Sequence, residues 1–475
     1  MVIRRAKIVC TIGPASDDPD VLAEVIQAGM NVARLNFSHG THDEHAARIA
    51  RIRDVARQCD REVAILQDLC GPKIRCGRFV GGTLDLEADA EVELVEAPDD
   101  PQAVTSGGAI PVQYPGLTDD MKVGDHILLD DGRVGLEIVS TGDKLLARVT
   151  QAGQLRDKVG VHLPAERVRI ATLTDKDKRD LSFGLSQGID HVALSFVRNA
   201  GEVRLVKDIC DAWGRPTPVV SKIETPQAIE HLESIILASD AVMVARGDLG
   251  VEFSPEHVPV IQREILGLAR RHERPVIVAT EMMQSMSTAT RPTRAEASDV
   301  ATAVFEGTDA VMLSGETATG AHPPLVVRTM SRIIVEAERS AFYDPPQSEA
   351  KVDRNNVPKA IARGACDIAM QVGAKVIVAF TETGRTALYA SKARPEVPVI
   401  GLSPNDKTLR LMCLMWGVVP LRVERALDSD QMIDRAHALL LANGIVSPGD
   451  RFVTLYGAPV GVTGSTNALQ VKVVE

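Results

Sequence analysis

Two polar side chains leave one face of an apolar run in the segment SKIE, where Lys222 and Glu224 lie two residues apart. In a strand this spacing points both side chains the same way, so an ammonium and a carboxylate should meet. A second run, AVMVARGDLG, ends at Asp248. Two carboxylates with water and substrate oxygens suit Mg²⁺ or Mn²⁺, and the lysine can neutralise a phosphoryl group during transfer. A local ion pair between Lys222 and Glu224 is the plainer alternative.

The glycines around Asp248 predict a second feature, an anion-binding backbone. Glycine lets N–H groups approach an anion such as a carboxylate closely, so Gly247 and Asp248 are candidates to bind one. The residues LGVEFS that follow are typical of a tight turn or the start of a short helix. An adhesion-type RGD loop is the alternative, but it requires an exposed loop of a secreted protein.

Short runs rich in Val, Ile and Ala recur along the chain, and amphipathic stretches lie between them. The runs occupy residues 7–13, 31–38, 63–69, 191–197, 218–224, 241–248, 275–282 and 310–317. Near-continuous apolar strands alternating with helices predict a parallel sheet covered on both faces. About eight such units predict a closed (β/α)8 TIM barrel rather than an open sheet.

The carboxyl ends of the strands in such a barrel converge on one mouth. The polar residues predicted at that mouth are Asn36, Ser38, Asp68, Ser195, Lys222, Glu224, Asp248, Thr280 and Ser314. Any one of them is explained equally well as a solvated loop residue. A whole ring is not, because isolated charges are costly to bury. The ring therefore predicts an active site.

The remaining sequence predicts two further domains. Residues 71–168 alternate in polarity and turn at Gly and Asp, which indicates an inserted antiparallel β-barrel lid domain over the active face. The barrel is then formed by residues 1–70 and 169–342. A polar, Pro-containing hinge follows Ser340, and residues 355–475 begin a new strand–helix series, which predicts a C-terminal α/β domain.

The composition of the 475 residues excludes several classes of protein. Lys and Arg number 53 against 64 Asp and Glu, so the net charge of −11 disfavours a general nucleic-acid binder. Aromatic residues are only 3%, too few for a base-stacking platform. The seven cysteines are scattered without a C-x-x-C pair, which favours a reducing compartment. With no signal peptide and no membrane-spanning run, we expect a cytoplasmic protein that binds no membrane.

Several motifs together resemble the pyruvate kinase family, and they stand in that family's order. They are TIGPAS (11–16), MNVARLNFSHGTHDEH (30–45), QDLCGPKIR (67–75), VVSKIE (219–224), VMVARGDLGVE (242–252), VIVATEMMQSM (276–286), RPTRAEASDVA (291–301) and VMLSGETATG (311–320). The resemblance implies transfer of the phosphoryl group of phosphoenolpyruvate to ADP, giving pyruvate and ATP. It also implies a homotetramer.

The resemblance assigns roles to individual residues. Glu224 and Asp248 would hold the divalent ion, and Lys222 and Arg34 would stabilise the migrating phosphoryl group. Thr280 would contact the substrate carboxylate and serve the proton-delivery side, and the backbone at Gly247 and Asp248 would bind the same carboxylate. The nucleotide side would comprise Pro14, Asn36, His39, Arg75 and Lys158. A surface lysine without a role is the alternative for Lys158.

One departure from the family bears on its monovalent cation. Many members need K⁺, and their segment typically reads D-T-K-G-P-E-I-R. Here the glutamate is replaced by Lys73, as in a lysine-bearing branch of the family that this segment resembles. A fixed ammonium can replace the charge of K⁺ and repel it, so we expect activity without K⁺. The equivalents of the cation site are Asn36, Ser38, Asp68, Leu69 and Lys73. A second departure, Glu281 in place of the usual glutamine, carries no assigned effect.

The C-terminal domain carries a candidate effector site. The loop TETGRT supplies hydroxyls, a glycine and an arginine at a predicted helix start, which suits a phosphate. Its residues are Thr381, Glu382, Thr383, Gly384, Arg385 and Thr386. Family members bind phosphorylated effectors in this loop, so allosteric activation by a sugar phosphate or nucleotide monophosphate is expected. An ordinary helix cap with a surface arginine is the alternative.

Two other functions remain open at this point. Another Mg²⁺-dependent barrel enzyme for phosphoenolpyruvate or pyruvate, a lyase or mutase, would share Glu224 and Asp248. It would not need the inserted domain, the nucleotide-side arginine or TIGPAS. A non-catalytic metabolite sensor is the second alternative, against which the joint presence of Arg34, Lys222 and Thr280 argues.

Overall fold

The computed structural model describes residues 3–98, 100, 103–105, 107–164, 167–344, 355–460 and 464–475. The chain begins with three parallel strands and two helices. They are β1 Lys7–Thr11, α1 Pro19–Ala28, β2 Val32–Asn36, α2 His42–Gln58 and β3 Ala64–Asp68. Capping residues fix the helix starts. The Asp18 side chain accepts hydrogen bonds from the N–H groups of Asp20 and Val21 at the start of α1, and Thr41 forms a capping box with Glu44 at the start of α2.

The described residues of the inserted segment fold as strands with one short α-helix and a 3-10 turn at Val80–Gly82. The elements are β4 Arg78–Phe79, β5 Thr83–Leu86, β6 Glu91–Glu96, β7 Val104–Thr105, β8 Ile110–Val112, α3 Leu117–Asp120, β9 His126–Leu129, β10 Val134–Thr141, β11 Leu145–Gln151, β12 Gly153–Arg156 and β13 Val161–His162. Six of them form a barrel-like sheet in the order β13-β9-β10-β11-β6-β8. The prediction of antiparallel pairing fails at its edge, where β8 lies parallel to β6 because a long connection separates the two strands.

The chain then returns to complete the barrel. The elements are α4 Asp175–Gln187, β14 His191–Leu194, α5 Ala200–Ala212, β15 Val219–Ile223, α6 Pro226–Glu230, α7 Leu232–Ala238, β16 Ala241–Ala245, α8 Arg246–Glu252, α9 Val258–Arg271, β17 Val276–Ala279, α10 Arg294–Phe305, β18 Ala310–Leu313, α11 Gly315–Ala318 and α12 Pro323–Arg339.

Eight parallel strands close on themselves in the order β1-β18-β17-β16-β15-β14-β3-β2, which confirms the predicted TIM barrel. Alternate residues of each strand point inward, where Val9, Leu66, Ala193 and Ile277 belong to one buried cluster. The other residues point outward to the helices and join the large core between strands and helices. This double burial explains the near-continuous apolar runs of the sequence.

The C-terminal elements form a separate sheet with helices. They are α13 Val357–Gln371, β19 Val376–Phe380, α14 Arg385–Lys392, β20 Val399–Ser403, α15 Asp406–Met412, β21 Val418–Arg422, α16 Ser429–Ala442, β22 Arg451–Gly457 and β23 Thr466–Val473. The order is β21-β20-β19-β22-β23, and only β23 runs antiparallel to its neighbour. Cys413 and Leu414, just after α15, belong to the buried cluster inside the barrel.

Three further sequence predictions concern the hinge, the cysteines and membrane-spanning helices. The hinge predicted after Ser340 lies largely outside the described residues. All seven cysteines are free thiols, as their scattered positions predicted. Among the described helices, none combines the length and the apolar character that crossing a membrane requires.

Candidate active site

The barrel mouth brings Lys222 and Glu224 together at the end of β15. The Nζ of Lys222 lies 2.8 Å from Oε1 of Glu224 and 3.6 Å from Oδ1 of Asp68 on β3. It also donates a hydrogen bond of 2.8 Å to Oγ of Ser195, which follows β14. Glu224 is fully buried. The ends of three adjacent strands supply these groups, so four members of the predicted ring lie together here.

Arg34 approaches the same carboxylate from β2. Its Nε donates to Oδ2 of Asp68 at 2.6 Å, and its Nη1 donates to Oγ1 of Thr11 at 2.9 Å. Asp68 thus lies between two cations, Arg34 and Lys222. The arrangement holds both cationic side chains in place at the mouth before any substrate binds, so little of their positioning remains to be done during a reaction.

The charge states follow from burial and these neighbours. Burial alone would lower the pKa of Lys222, but Asp68, Glu224 and Asp248 outweigh it and raise that pKa. Burial would raise the pKa of Asp68, but Lys222 and Arg34 hold it below its usual value. Burial raises the pKa of Glu224 to about 7, with Asp248 adding to the rise and Lys222 opposing it. Asp68 is therefore the principal counter-ion of Lys222, and Glu224 is the less well-compensated carboxylate.

The RGD segment is helical, where the sequence predicted that the strand continued to Asp248. Strand β16 ends at Ala245, and α8 begins at Arg246, so Asp248 lies in the first turn of a helix. For the residues LGVEFS that follow, the prediction of a short helix is confirmed in part, since α8 continues to Glu252. The N–H groups of a first helical turn have no intrahelical partner and are free to bind an anion.

One of those N–H groups already has a partner. The backbone N–H of Gly247 donates to Oγ1 of Thr280 at 2.8 Å, and that hydroxyl donates to the carbonyl of Ala279 at 2.6 Å. Thr280 and Gly247 are therefore in direct contact, as the proposed shared carboxylate site requires. A substrate carboxylate at Gly247 must displace the Thr280 hydroxyl or share its donor.

The acidic groups fit a divalent cation. Oε1 of Glu224 is buried and accepts no well-aligned hydrogen bond, although the Lys222 ammonium lies beside it. The three carboxylates, Asp68, Glu224 and Asp248, exceed the two cations, Lys222 and Arg34, by one negative charge. No group of three His, Cys, Asp or Glu side chains suited to a metal ion occurs in the described part of the chain. Two carboxylates completed by water and substrate suit Mg²⁺ or Mn²⁺, whereas a dedicated all-protein site would need more ligands.

The predicted nucleotide side is a cationic rim. Burial lowers the pKa of His39, and the charges of Arg75, Lys73, Arg34 and Lys176 lower it further. Pro14 and His39 are exposed. Nη1 of Arg75 donates to the carbonyl of Lys158 at 3.0 Å. Arg75 pairs with Gly160 in an isolated β-bridge, and Lys158 lies in the turn just before it, so the structure brings Arg75 and Lys158 together. The Lys158 side chain is exposed.

The residues equivalent to a monovalent-cation site are only partly assembled. Oδ1 of Asn36 accepts the N–H of Ser38 at 3.1 Å, and Leu69 accepts a hydrogen bond from Ser195 at 2.7 Å. Lys73 is exposed, and within the described residues its ammonium forms no ion pair with Asp68. Its charge helps to lower the pKa of His39 at the rim, and its place among the oxygen ligands of a cation site stays a prediction.

The C-terminal loop forms the start of α14. Gly384 adopts φ +86°, and its N–H donates to Oγ1 of Thr381 at 2.9 Å. Thr386 is bonded to Thr466 across the sheet at 2.7 Å. Oε2 of Glu382 accepts from Asn405 at 2.7 Å, so its carboxylate is satisfied outside the loop. Thr383 and Arg385 are exposed and line one cavity with Arg425, Ser465 and Tyr389.

Sequence reasoning missed the groups that orient the site. The N–H of Phe196 donates to Oε2 of Glu224 at 2.7 Å, and Phe196 adopts φ +54°. Arg246 binds two carbonyls at the end of β17 and the carboxylate of Asp299. No local pattern marks these residues, because their partners lie 28 to 53 positions away.

The structure is thus a closed (β/α)8 barrel with an inserted β domain, and its mouth holds two cations among three carboxylates, which is the architecture of a barrel enzyme with its site at the carboxyl ends of the strands.

Two family models match the chain: "Pyruvate kinase, barrel domain" over residues 3–327 and "Pyruvate kinase, alpha/beta domain" over residues 359–472. A pyruvate kinase of Agrobacterium vitis is 43% identical over 472 residues, covering 98% of each chain. One from Geobacillus stearothermophilus is 40% identical, covering 99% of this chain and 80% of that protein. A crystal structure of a pyruvate kinase from Cryptosporidium parvum has a TM-score of 0.90 at 33% identity, covering 99% and 96% of the two chains. The chain belongs to the pyruvate kinase family, whose members act in glycolysis.

Proposed function

We propose that the protein transfers the phosphoryl group of phosphoenolpyruvate to ADP at the barrel mouth. The bond between phosphorus and the enol oxygen breaks, and a bond forms to a β-phosphate oxygen of ADP. The released enolate takes a proton at its methylene carbon and becomes pyruvate. The observation that carries the proposal is the fixed pair Arg34 and Lys222 around Asp68, with Glu224 and Asp248 beside them.

The side chains divide the work. Lys222 and Arg34 are held in place at the mouth and offset the negative charge of the phosphoryl oxygens, which is the main requirement of this reaction. Gly247 and Asp248 offer N–H groups to the substrate carboxylate, and Thr280 lies against them on the proton-delivery side. Glu224 and Asp248 would hold Mg²⁺ or Mn²⁺, which when bound supplies charge that offsets the substrate oxygens. The cationic rim around His39 and Arg75 would receive the nucleotide phosphates.

The test is the formation of pyruvate from phosphoenolpyruvate and ADP, whose rate is measured in a coupled assay. Turnover should require ADP and a divalent cation, and chelation should abolish it. Pyruvate formed equally well without a nucleotide would favour a lyase or mutase instead. No turnover under any of these conditions, with folded protein, would favour a metabolite sensor.

We further propose that the activity does not need K⁺. Asp68 is already neutralised by Arg34 and Lys222, and Lys73 adds a fixed positive charge at the rim. In buffer free of Na⁺ and K⁺ the wild-type rate should change less than twofold when K⁺ is added. The variant Lys73→Glu should gain K⁺ stimulation. A large stimulation of the wild type would overturn the proposal.

A phosphorylated effector is proposed for the cavity at the start of α14. In the Thr381 to Thr386 loop, the exposed Thr383 hydroxyl and the helix-start N–H groups can face a phosphate. Arg385 and Arg425 add positive charge at its edge, although Arg425 also pairs with Glu382 at 3.2 Å. Sugar phosphates and nucleotide monophosphates should be screened for activation, with Arg385→Ala as the variant and Arg328→Ala as a surface control. Activation that survives Arg385→Ala would remove the idea. A homotetramer is proposed on the family's behaviour and is checked by light scattering.

A further inference from the structure

Two consecutive residues at the end of β17 adopt a left-handed backbone. Thr280 has φ +68° and Glu281 has φ +54°. A β-branched residue in this region is a conformational outlier. Such conformations cluster at functional sites and persist only where the surrounding structure fixes them. The question is which groups fix these two residues.

The guanidinium of Arg246 binds the backbone carbonyl on each side of Thr280. Its Nε donates to the carbonyl of Ala279 at 3.2 Å, and its Nη2 donates to the carbonyl of Thr280 at 2.7 Å. The two carbonyls belong to the last strand residue and the first left-handed one. A single planar group thus sets the orientation of the two successive peptides.

The guanidinium is itself held by a second element. Nη1 of Arg246 donates a hydrogen bond of 2.7 Å to Oδ1 of Asp299 on α10, and Nη2 donates one of 2.8 Å to Oδ2 of the same carboxylate. A bidentate pair of this kind fixes the plane of the guanidinium as well as its position. Arg246 has 13% of its side chain exposed, so solvent competes little for its donors.

The consequence is the position of the Thr280 hydroxyl. That hydroxyl accepts the N–H of Gly247, the residue that follows Arg246 in the chain. The side chain of Arg246 and the backbone N–H of Gly247, both in the first turn of α8, therefore hold Thr280. We propose that Arg246, oriented by Asp299, is a positioning residue that fixes the backbone of Thr280 and so keeps its hydroxyl beside the substrate-carboxylate site at Gly247 for catalysis. This inference rests on the role proposed above for Thr280.

A double-mutant cycle tests the inference through the rate of pyruvate formation. Arg246→Met should lower kcat by roughly 10- to 100-fold, because small misplacements at a reacting centre are costly. Thr280→Val removes the hydroxyl and keeps the branched shape. If Arg246 acts through Thr280, the double variant is no slower than the slower single variant, and Arg246→Lys recovers part of the rate only when the Thr280 hydroxyl is present.

Arg53→Met is the matched control. Arg53 also binds two carbonyls and one aspartate, those of Val63, Gly188 and Asp190, away from the mouth. Arg53→Met should change kcat little, and in the double variant with Thr280→Val the two fold-changes in kcat should simply multiply. Should Arg246→Met fail to fold, Asp299→Asn replaces it in the cycle. Multiplicative effects of Arg246 and Thr280 would overturn the inference. If Thr280→Val does not change the rate, the proposed role of Thr280 fails as well, and an inactive wild type overturns the proposed function itself.

Discussion

Glu224 is the residue whose charge state is most sensitive to its surroundings. Burial and Asp248 raise its pKa to about 7, although Lys222 lies beside it. Below that pH the metal-free protein carries a proton on Glu224, which a cation must displace. The apparent Kd for Mg²⁺ should therefore rise about tenfold per pH unit below 7 and level off above it.

The measurement is a Mg²⁺ titration without substrate between pH 5.5 and 8.5. Glu224→Gln should bind weakly and lose this pH dependence. An affinity that is flat across the range in the wild type would show that the Glu224 proton is not displaced.

At the scale of single residues, the sequence predicted identities better than contacts. The spacing in SKIE was enough to place Lys222 beside Glu224, because strand geometry alone determines it. The positions of Lys158 and Lys73 were not predictable in the same way. Both depend on how the insert lies on the barrel, and both side chains are exposed.

At the scale of elements, the path from β3 into the insert depends on Gly71. It adopts φ +69°, and a Cβ there would lie 2.8 Å from the Phe196 ring and 3.0 Å from Ser195. Phe196 in turn donates its N–H to Glu224. Gly71→Ala should cost about 2 kcal/mol from backbone strain and crowding, which corresponds to a Tm lower by roughly 4–8 °C.

Gly81→Ala is the control for this change, measured by the same thermal denaturation. Gly81 has φ +77° but no atom within 4 Å of its would-be Cβ, so it isolates the backbone strain. Equal losses of Tm at the two positions would show that the contact with Phe196 does not matter.

The strands themselves were predictable because burial on both faces leaves an unbroken apolar run. Their ends were not. The run AVMVARGD reads on to Asp248, yet the strand stops at Ala245 and a helix begins. The reason is tertiary: the Arg246 side chain binds Asp299, which is 53 residues away in sequence.

At the scale of the whole molecule, α14 joins the proposed effector cavity to the barrel. Its last residue, Lys392, donates to both oxygens of Asp309 at 2.8 Å, and Asp309 accepts the N–H of Val276 at 2.8 Å. Burial lowers the pKa of Lys392 to about 8. Lys392→Met leaves the buried Asp309 with Arg394 as its remaining cation, so stability should fall by about 3 kcal/mol.

Thermal denaturation of Lys392→Met measures the predicted loss of stability, with Arg328→Met as the control. Arg328 pairs with Glu24 at 3.5 Å on the surface, where such a pair contributes about 0–1 kcal/mol. The same small shift of Tm for both variants would mean that the Asp309 contact does not hold the domains together.

The most direct test of the charged cluster at the barrel mouth is the variant Lys222→Met. Its turnover and its Mn²⁺ binding are measured in the same preparation. Its control is Lys207→Met, whose ammonium pairs with Asp240 away from the mouth at 2.9 Å. We predict that Lys222→Met loses phosphoryl transfer by at least about 10³-fold and still binds Mn²⁺, while Lys207→Met behaves as the wild type. A Lys222→Met protein that retains turnover would contradict the account.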